Sequence, residues 1–410
     1  MHQDYKKMDV NVLHLTNKKI LLKLIKEKKI ISRSELSKET GLTPPSVTRI
    51  VDDLVQSDKL VEYVGLGNSN GGRPPVLVKF KNEGNYIIGI DLGATYIRGC
   101  LVDINANFIS EIQIPTEIEK GFALTIRKVV QMIHKLQSRI DDDKKIWGAG
   151  IGVAGLINSK NNIIEFSPDF EWSNINLQEI LQKEIDIPVF YDNSTRLMAL
   201  GELKLGENRL LKNFVIINVG YGIAAGMVIN GKLIKGYNGF AGEFGHISVD
   251  TNSEVKCKCG MSGCLESLAS GHRITALGKE KLESGDAKIL KELCHGNPEL
   301  ITAEMVANAA RKGDPASIGI YDEIAEYLSK GIGIIANLLN PEVIYIGGGI
   351  SFSGDLLFDL VNDKKAKYLL PQNANILVIP STFGDHATSI GAVSMVLERI
   401  MNLELSGSIQ

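Results

Sequence analysis

Residues 86–104 read YIIGIDLGATYIRGCLVDI and carry the clearest structural signal in the chain. Two apolar runs flank a turn at residues 91–95 (DLGAT), which predicts two strands joined as a β-hairpin. Glycine at the end of a strand lets backbone N–H groups approach a ligand closely. The segment therefore predicts a sheet and, at its turn, a candidate binding loop.

Three later segments repeat the theme of an apolar strand that runs into glycines: WGAGIGVAGLIN (147–158), NFVIINVGYGIAAGMVINGKLI (213–234) and PEVIYIGGGIS (341–351). Helical patterns separate them. Several glycine-rich strand ends in one chain favour an α/β protein with a ligand cleft between two lobes. The alternative is that each is an ordinary strand-ending turn.

Composition and charge restrict the class of protein. The chain has 410 residues and 44% hydrophobic content, enough for two or three domains that each bury a core. Its start, MHQDYKKMDV, lacks an apolar run of signal-peptide or membrane length, so we expect a cytoplasmic protein that does not enter membranes.

Residues 1–80 hold 14 Lys and Arg against 9 Asp and Glu, and the remainder holds 31 against 39. The split suggests a basic module for a polyanion joined to an acidic body, although a solvated lysine-rich helix would also produce it.

The amino-terminal segment predicts consecutive helices. The first covers residues 15–30, and its apolar face is predicted to comprise Ile20, Leu21, Leu24 and Ile25. In ISRSELSKETG (31–41), Ser32 and Glu35 have capping-box spacing, and Gly41 can adopt the positive φ that ends a helix. A second helix followed by a short turn is therefore expected.

The segment LTPPSVTRIVDDLVQSDKL (42–60) predicts the next helix, with Thr43 as N-cap and Pro44 at the first helical position. Its buried stripe is predicted to comprise Val47, Ile50, Val51 and Leu54. Two helices joined by a tight turn form the helix-turn-helix arrangement, in which the start of the second helix reads bases in the major groove. The candidate DNA-binding residues at that start are Pro45, Ser46, Thr48 and Arg49.

The run LVEYVGLGNSNGGRPPVLVKF (60–80) places two β-rich segments around a Gly/Asn/Ser tip, which predicts a wing. Arg73, between Gly72 and Pro74, is a candidate for contact with a phosphate or the minor groove. The alternative is a helical protein-interaction domain that carries a hairpin.

A cysteine cluster lies in HISVDTNSEVKCKCGMSGCLE, residues 246–266, which contains three of the five cysteines. In a reducing compartment such clustering indicates a metal site and not a disulfide framework. A redox-sensing thiol cluster is the alternative. We expect Cys100 and Cys294 to be ordinary buried residues.

Four stretches resemble the ROK family of sugar kinases and sugar-responsive repressors: GIDLGATYIRGCLVD, NGFAGEFGHISVD, CKCGMSGCLES and NPEVIYIGGGIS. The resemblance covers nearly the whole chain and implies a two-lobed, actin-like (ribonuclease-H-like) sugar-kinase fold. It also implies a structural Zn²⁺ bound by His246, Cys257, Cys259 and Cys264. Three thiolates and an imidazole satisfy tetrahedral zinc with no position left for water, which supports a structural site.

The same resemblance assigns sugar-binding positions, which are Asp169, Asn193, Glu243, His246 and Glu266. Family members commonly have Asn at the position of Asp169. The carboxylate of Asp169 can accept hydrogen bonds from sugar hydroxyls, but unlike an amide it cannot donate one. Trp172 is expected to be either a hydrophobic anchor or a wall of the pocket.

Several positions depart from the pattern of the family's kinases. The general-base aspartate falls on Ser194, and a serine hydroxyl is too weak a base for that role. Asp192, two residues away, is expected to be misplaced. In the phosphate loops Ala94, Ala224 and Ala225 stand where the family's kinases usually have glycine, and Tyr221 stands where they have threonine, so we expect crowding of the phosphate approach.

We therefore expect a transcriptional regulator that is not an enzyme. The domains are predicted as a winged helix-turn-helix over 1–80, a smaller α/β lobe over 85–195 with 388–410, and a larger α/β lobe with the zinc and sugar sites over 196–387. The expected partners are operator DNA, a small sugar effector and further copies of the chain, as a homodimer or homotetramer. The alternatives are an active ATP-dependent sugar kinase with an added DNA-binding domain, and a structural scaffold.

Overall fold

The computed structural model describes residues 10–67 and 74–405. Its amino-terminal domain consists of α1 (Val10–Lys28), β1 (Ile30–Ser32), α2 (Arg33–Thr40), α3 (Pro44–Gln56), β2 (Val61–Leu66) and β3 (Val76–Phe80). The three strands form an antiparallel sheet in the order β1-β3-β2. The helix-turn-helix followed by a β-hairpin is thus present as predicted.

Local chemistry explains the bounds of α2. The Ser32 hydroxyl accepts from the backbone N–H of Glu35 at 3.1 Å, and the Glu35 carboxylate accepts from the backbone N–H of Ser32 at 2.8 Å. This reciprocal pair is the predicted capping box. Gly41 then adopts φ 72° and ends the helix.

Thr43 is the N-cap residue of α3 and Pro44 its first residue, as predicted, but the Thr43 side chain makes no capping hydrogen bond and its hydroxyl lies 2.9 Å from that of Ser46. The prediction for α1 needs correction. In α1 the buried residues are Leu21, Leu22 and Ile25, whereas Ile20 is 45% exposed. The apolar stripe is therefore rotated from the predicted one, because α1 packs between α3 and β3.

The first α/β unit follows directly. It contains β4 (Asn85–Leu92), β5 (Tyr96–Asp103), β6 (Phe108–Pro115), α4 (Phe122–Gln137), β7 (Lys145–Val153), β8 (Leu156–Asn158), β9 (Ile163–Ser167), β10 (Trp172–Ile175), α5 (Leu177–Leu181) and β11 (Val189–Asn193). Its main sheet has the order β11-β7-β4-β5-β6, with β7 parallel to both β4 and β11. The hairpin predicted over residues 86–104 is β4–β5, with Ile90 opposite Gly99. A separate small sheet has the order β10-β9-β8.

The second α/β unit contains α6 (Ser194–Leu205), β12 (Phe214–Val219), β13 (Ile223–Ile229), β14 (Lys232–Leu233), α7 (Leu265–Ala269), α8 (Gly271–Glu283), α9 (Lys288–Leu293), α10 (Ala303–Arg311), α11 (Pro315–Leu339), β15 (Val343–Gly347), α12 (Asp355–Lys364) and β16 (Leu377–Pro380). Its sheet has the order β14-β13-β12-β15-β16, with β12, β15 and β16 parallel. Helix α13 (Ala387–Met401) follows this unit in the chain. No helix within the described residues is long and apolar enough to span a bilayer.

Helices α6 and α13 connect the units. Helix α13 packs on β4 and β7 of the first sheet and on α6, which also contacts β12 and β13. The two helices touch through their backbones, because a Cβ on Gly391 would lie 1.9 Å from the carbonyl oxygen of Leu197. The core of the amino-terminal domain continues into residues of β5, β7 and α13. The amino-terminal domain therefore shares a buried core with the first α/β unit.

Candidate functional site

The cysteine cluster forms a compact knuckle, in which one ligand atom from each of His246, Cys257, Cys259 and Cys264 lies within 4.8 Å of the others. The Sγ atoms of Cys259 and Cys264 are 3.7 Å apart, and the Sγ of Cys257 lies 3.5 Å from Nδ1 of His246. Zinc with Zn–S of about 2.3 Å and Zn–N of about 2.0–2.1 Å in a tetrahedron separates two sulfurs by about 3.8 Å and sulfur from nitrogen by about 3.6 Å. The donor set and its spacing fit a closed four-coordinate metal site.

Two glycines allow the knuckle to fold. Gly260 and Gly263 have φ of 92° and 69°, the left-handed region that favours glycine. A Cβ on Gly263 would lie 1.9 Å from the carbonyl oxygen of Asp250. Cys264 then precedes α7 as its N-cap residue, and Glu266 lies in the first turn of that helix. The candidate metal ligand is therefore joined directly to the helix that carries Glu266.

The position of Glu266 is fixed by the loop between β12 and β13. Its Oε2 atom accepts a hydrogen bond from the backbone N–H of Ile223 at 2.8 Å. A Cβ at position 222 would lie 2.4 Å from the same oxygen, so Gly222 leaves the room that the carboxylate needs. Glu266 thus links the knuckle to a glycine-rich loop.

Three carboxylates belong to one charged cluster, which we call the pocket carboxylates: Asp169, Glu243 and Glu266. Burial raises the pKa of Asp169; the charge of Glu266 adds to this and Lys258 opposes it. Glu243 is exposed to solvent, but partial desolvation in the surrounding loop also raises the pKa of its carboxyl group; His246 and Arg196 oppose this and Glu266 adds to it. Glu266 therefore interacts electrostatically with both of the other pocket carboxylates, Lys258 with Asp169, and Arg196 with Glu243.

The remaining predicted pocket residues have structural partners. Asn193 caps α6, since its Oδ1 accepts from the backbone N–H of Arg196 at 3.0 Å, and its Nδ2 donates to the carbonyl of Gly155 at 3.0 Å. Trp172 is 4% exposed, with its ring 4.6 Å from that of Phe170. Trp172 is thus a hydrophobic anchor and not an exposed wall of the pocket.

Asp192 is paired with cations. Its Oδ1 accepts from Nε of Arg196 at 2.9 Å and also from Nη2, and Nζ of Lys235 lies 3.2 Å from its Oδ2. Burial opposes ionisation of Asp192, but the charges of Arg196 and Lys235 outweigh it and hold the pKa of the carboxyl group below its ordinary value. Nη1 of Arg196 donates to the carbonyl of Gly239, in the loop that leads to Glu243. Arg196 therefore connects the end of β11 with the loop before a pocket carboxylate.

The glycine-rich loop after β12 consists of Gly220, Tyr221 and Gly222. Tyr221 is 48% exposed, and Nζ of Lys258 lies 5.0 Å from its ring centroid. Ala224 and Ala225, which we expected to crowd this loop, lie inside β13 instead. Ala224 pairs with Asn218 of β12, and Ala225 pairs with Ile217. Of Tyr221, Ala224 and Ala225, only Tyr221 therefore lies within the loop.

At the first loop, the backbone N–H of Gly93 donates to the carbonyl of Tyr96 at 3.1 Å and closes the turn that contains Ala94. Burial raises the pKa of Asp91 to about 7, with Arg98 opposing the shift and Asp385 adding to it. Nη1 of Arg98 lies 3.7 Å from Oδ2 of Asp91, and Nη2 of Arg98 lies 3.6 Å from Oδ1 of Asp385. The end of β4 thus carries a partly buried carboxyl group beside an arginine.

The start of α3 presents the predicted DNA-binding face. Pro45 and Arg49 are exposed, whereas Ser46 and Thr48 are partly buried. An open groove along α3 is lined by Pro44, Pro45, Thr48, Arg49, Asp52, Asp53 and Gln56. Nη2 of Arg49 lies 3.5 Å from Nδ1 of His14 of α1. Arg73 lies outside the described residues.

Sequence reasoning missed Arg196 and Lys258. Arg196 is 2% exposed, and its signal was a charged residue in the otherwise apolar run RLMALG. Lys258 lies between two cysteines, where only the fold reveals its position over the ring of Tyr221 and its electrostatic effect on Asp169.

Family models match both parts of the chain. A model described as "ROK family" matches residues 87–399. A model described as "Winged helix-turn-helix DNA-binding" matches residues 13–61. These matches confirm the predicted fold class, an α/β body preceded by a winged helix-turn-helix.

Known proteins match to different extents. The xylose repressor of Caldicellulosiruptor bescii is 32% identical over 395 residues, which cover 95% of this chain and 98% of that protein. The glucokinase of Thermotoga maritima is 32% identical over 316 residues, which cover 77% of this chain and 98% of the kinase. A crystal structure of a ROK family transcriptional regulator, a homolog of the Escherichia coli MLC protein, superposes with a TM-score of 0.81 at 28% identity and covers 96% of this chain and 99% of that one. With family motifs over the body and a helix-turn-helix before it, the chain belongs to the ROK family.

Proposed function

We propose that this protein is a transcriptional repressor that binds operator DNA through its amino-terminal domain and is controlled by a sugar in the cleft of its body. The observation that carries the proposal is the extent of the matches. The xylose repressor matches 95% of the chain, including the helix-turn-helix, whereas the glucokinase matches 77%. A sugar-responsive repressor is therefore favoured over an active kinase with an added domain.

The proposed sugar site centres on the pocket carboxylates, with Asn193 and His246 as further members. Carboxylate oxygens accept hydrogen bonds from sugar hydroxyls, and partial burial strengthens such bonds. Since the full-length relatives include a xylose repressor, xylose is the first effector to test. Proton donors on a sugar ring would also relieve the mutual repulsion of Glu243 and Glu266.

We assign Zn²⁺ to the knuckle. His246, Cys257, Cys259 and Cys264 would hold it, and the ion would stabilise the segment between Glu243 and Glu266 without a coordination position for catalysis. The distances between the donor atoms support this assignment.

We further propose that the cleft does not transfer phosphoryl groups. The position of the family's general base holds Ser194, whose hydroxyl is a weak base. The neighbouring carboxylate of Asp192 is paired with Arg196 and Lys235, which lowers its basicity. Tyr221 adds a ring to the loop at the position where the family resemblance implies threonine in the kinases.

For the domain organisation we propose the predicted division at residues 80, 195 and 387. The packing of α13 on β4 and β7 supports its assignment to the smaller lobe. Two-fold pairing of chains, as a dimer or as a tetramer of two dimers, would present two copies of α3 to a near-palindromic operator. Sugar binding would then change the separation of these helices through a movement between lobes.

A thermal-shift screen against pentoses and hexoses, in parallel with a coupled ATP-consumption assay, tests the proposal. A ligand that binds only the folded state raises the unfolding temperature by mass action. We expect at least one sugar to stabilise the protein without ATP consumption. Turnover of that sugar at about 1 per second or faster would favour the kinase.

A further inference from the structure

Three partly exposed side chains, one each from α2, α3 and β2, meet in one cluster, which we call the wing cluster: Arg33, Asp52 and Tyr63. Nη2 of Arg33 donates to Oδ1 of Asp52 at 2.6 Å and to the hydroxyl of Tyr63 at 2.5 Å. The Tyr63 hydroxyl donates in turn to the same Asp52 oxygen at 2.5 Å. The Arg33 guanidinium also lies 5.1 Å from the centroid of the Tyr63 ring. One hydroxyl thus closes a three-membered network.

The wing cluster joins the parts of the DNA-binding motif. Arg33 is the first residue of α2, Asp52 lies in the second half of α3, and Tyr63 lies in β2. The pairing register of β2 with β3 shifts between Tyr63 and Gly65, and Gly65 has φ 129°. Such a bulge bends a strand and changes its twist. The hydroxyl network therefore holds β2 immediately before the bulge at Gly65.

The charge of Asp52 makes its role testable. Its side chain lines the groove along α3 together with Arg49, on the face predicted to meet DNA. An unpaired carboxylate there would repel phosphates, and Arg33 neutralises it. If Asp52 had only this electrostatic effect, removal of its charge would strengthen DNA binding. If it positions the wing, the same change would weaken binding.

We infer that Tyr63 is a positioning residue, which acts through Asp52 and Arg33 to fix the direction of the wing relative to α3. It raises operator affinity in this way without contacting DNA. The inference rests on the proposed binding of operator DNA by this domain.

The first test is Tyr63→Phe, which keeps the ring over Arg33 and removes the hydroxyl. The probe is a duplex selected from a random library by the wild-type protein. Loss of a hydrogen bond of ordinary strength corresponds to about a fivefold loss of operator affinity, with sugar affinity unchanged. The matched control is Tyr327→Phe in the body, where the hydroxyl donates to Asp250 at 3.4 Å and Lys330 lies over the ring. The control should leave operator affinity unchanged.

A second test uses Asp52→Asn and the double variant with Tyr63→Phe. Because both changes disrupt one network, we expect each to weaken binding and the double variant to lose little more than either alone. Tighter operator binding by Asp52→Asn would overturn the inference, as would operator affinity of Tyr63→Phe within about twofold of the wild type.

Hydrogen exchange separates positioning from direct contact and needs no DNA. Amides of residues 61–67 should exchange faster in Tyr63→Phe than in the wild type, because the strand loses its anchor. Lower operator affinity with unchanged exchange would mean that the hydroxyl contacts DNA, which contradicts the inference. If the wild type selects no duplex at all, the proposed function is wrong. If the wild type binds DNA and responds to sugar, and Tyr63→Phe binds DNA equally well, only the positioning role is refuted.

Discussion

Replacement of Arg196 by methionine removes the cation that holds Asp192 and the loop before Glu243. Arg196 is 2% exposed, donates to Asp192 through Nε at 2.9 Å, and donates to the carbonyl of Gly239. Methionine is flexible and apolar, and it fills much of the same space. The substitution therefore removes the charge and the hydrogen bonds with little loss of volume.

We expect the free energy of unfolding to fall by about 3 kcal/mol at neutral pH. Removal of one partner from a buried ion pair costs about 3–5 kcal/mol, because the remaining charge stays buried without compensation. Lys235 remains 3.2 Å from Asp192, and its side chain is 48% exposed, so it compensates only in part. The cost should therefore lie near the lower bound. Sugar affinity should fall as well, since the loop that carries Glu243 loses an anchor.

The destabilisation should depend on pH. In the wild type the pKa of Asp192 is lower in the folded state than in the unfolded state. The ion pair therefore stabilises the fold above the unfolded-state pKa of about 3.9, and this stabilisation is lost as the pH falls through the folded-state pKa. Without Arg196, burial dominates and the folded pKa rises, so the ionised group destabilises the variant above that unfolded pKa. The difference in the free energy of unfolding between wild type and variant should be largest near pH 7 and should decrease below about pH 5.

Urea unfolding at pH 7 and pH 4 measures this difference. The matched control is Lys204→Met on the same helix. Nζ of Lys204 lies 2.9 Å from Oε1 of Glu398, and the two side chains are 38% and 45% exposed. Loss of this exposed ion pair should lower the free energy of unfolding by less than about 1 kcal/mol. Asp192→Asn combined with Arg196→Met should recover part of the loss, because both charges are gone. A loss no larger than that of the control, or one independent of pH, would refute the reasoning.

Three further predictions concern the metal, the chemistry and the DNA. Protein purified without chelator should hold about one zinc per chain, and Cys257→Ser should lower zinc content and sugar affinity together; under half an equivalent of zinc with full sugar binding would contradict this. Ser194→Asp should not restore phosphorylation, because Tyr221 stays in the loop; turnover of about 1 per second by this variant in an ATP-consumption assay would show otherwise. In fluorescence anisotropy, Arg49→Ala should weaken operator binding by about 1–3 kcal/mol and relax sequence preference, whereas Arg73→Ala should weaken all duplexes alike and reduce salt dependence. Unchanged binding by both variants would place DNA contact elsewhere.

Local patterns were sufficient to predict much of the fold. The hairpin over residues 86–104 and the buried stripe Val47, Ile50, Val51 and Leu54 follow from period and turn residues, and the structure contains both. The capping box of Ser32 and Glu35 is equally local. Local patterns fail where packing selects among similar faces, as for Ile20, which is exposed because Leu22 occupies the core instead.

The candidate site was predictable only in part. The four knuckle residues lie within 19 residues of one another, so their cluster could be predicted from the sequence, whereas the pocket carboxylates were assigned from the family resemblance. The cation pairing around Asp192 was not predictable as a whole. Arg196 lies only four residues from Asp192, but Lys235 reaches Asp192, and Arg196 reaches the carbonyl of Gly239, across 43 residues of sequence. The hydroxyl of Tyr63 likewise reaches Asp52 only after the hairpin has folded against α3.

Operator binding measured during a sugar titration tests the central claim most directly. The wild type, bound to a fluorescent duplex that it selected itself, is titrated with xylose and with a panel of other pentoses and hexoses, and anisotropy reports the bound fraction. A sugar-controlled repressor predicts that one sugar changes operator affinity at least about tenfold, which corresponds to about 1.4 kcal/mol of coupling between the two sites. The same sugar should have little effect in Glu266→Gln, in which a pocket carboxylate is neutralised. Operator binding that no sugar alters, beside sugar binding that thermal shift detects, would contradict control of the amino-terminal domain by the cleft.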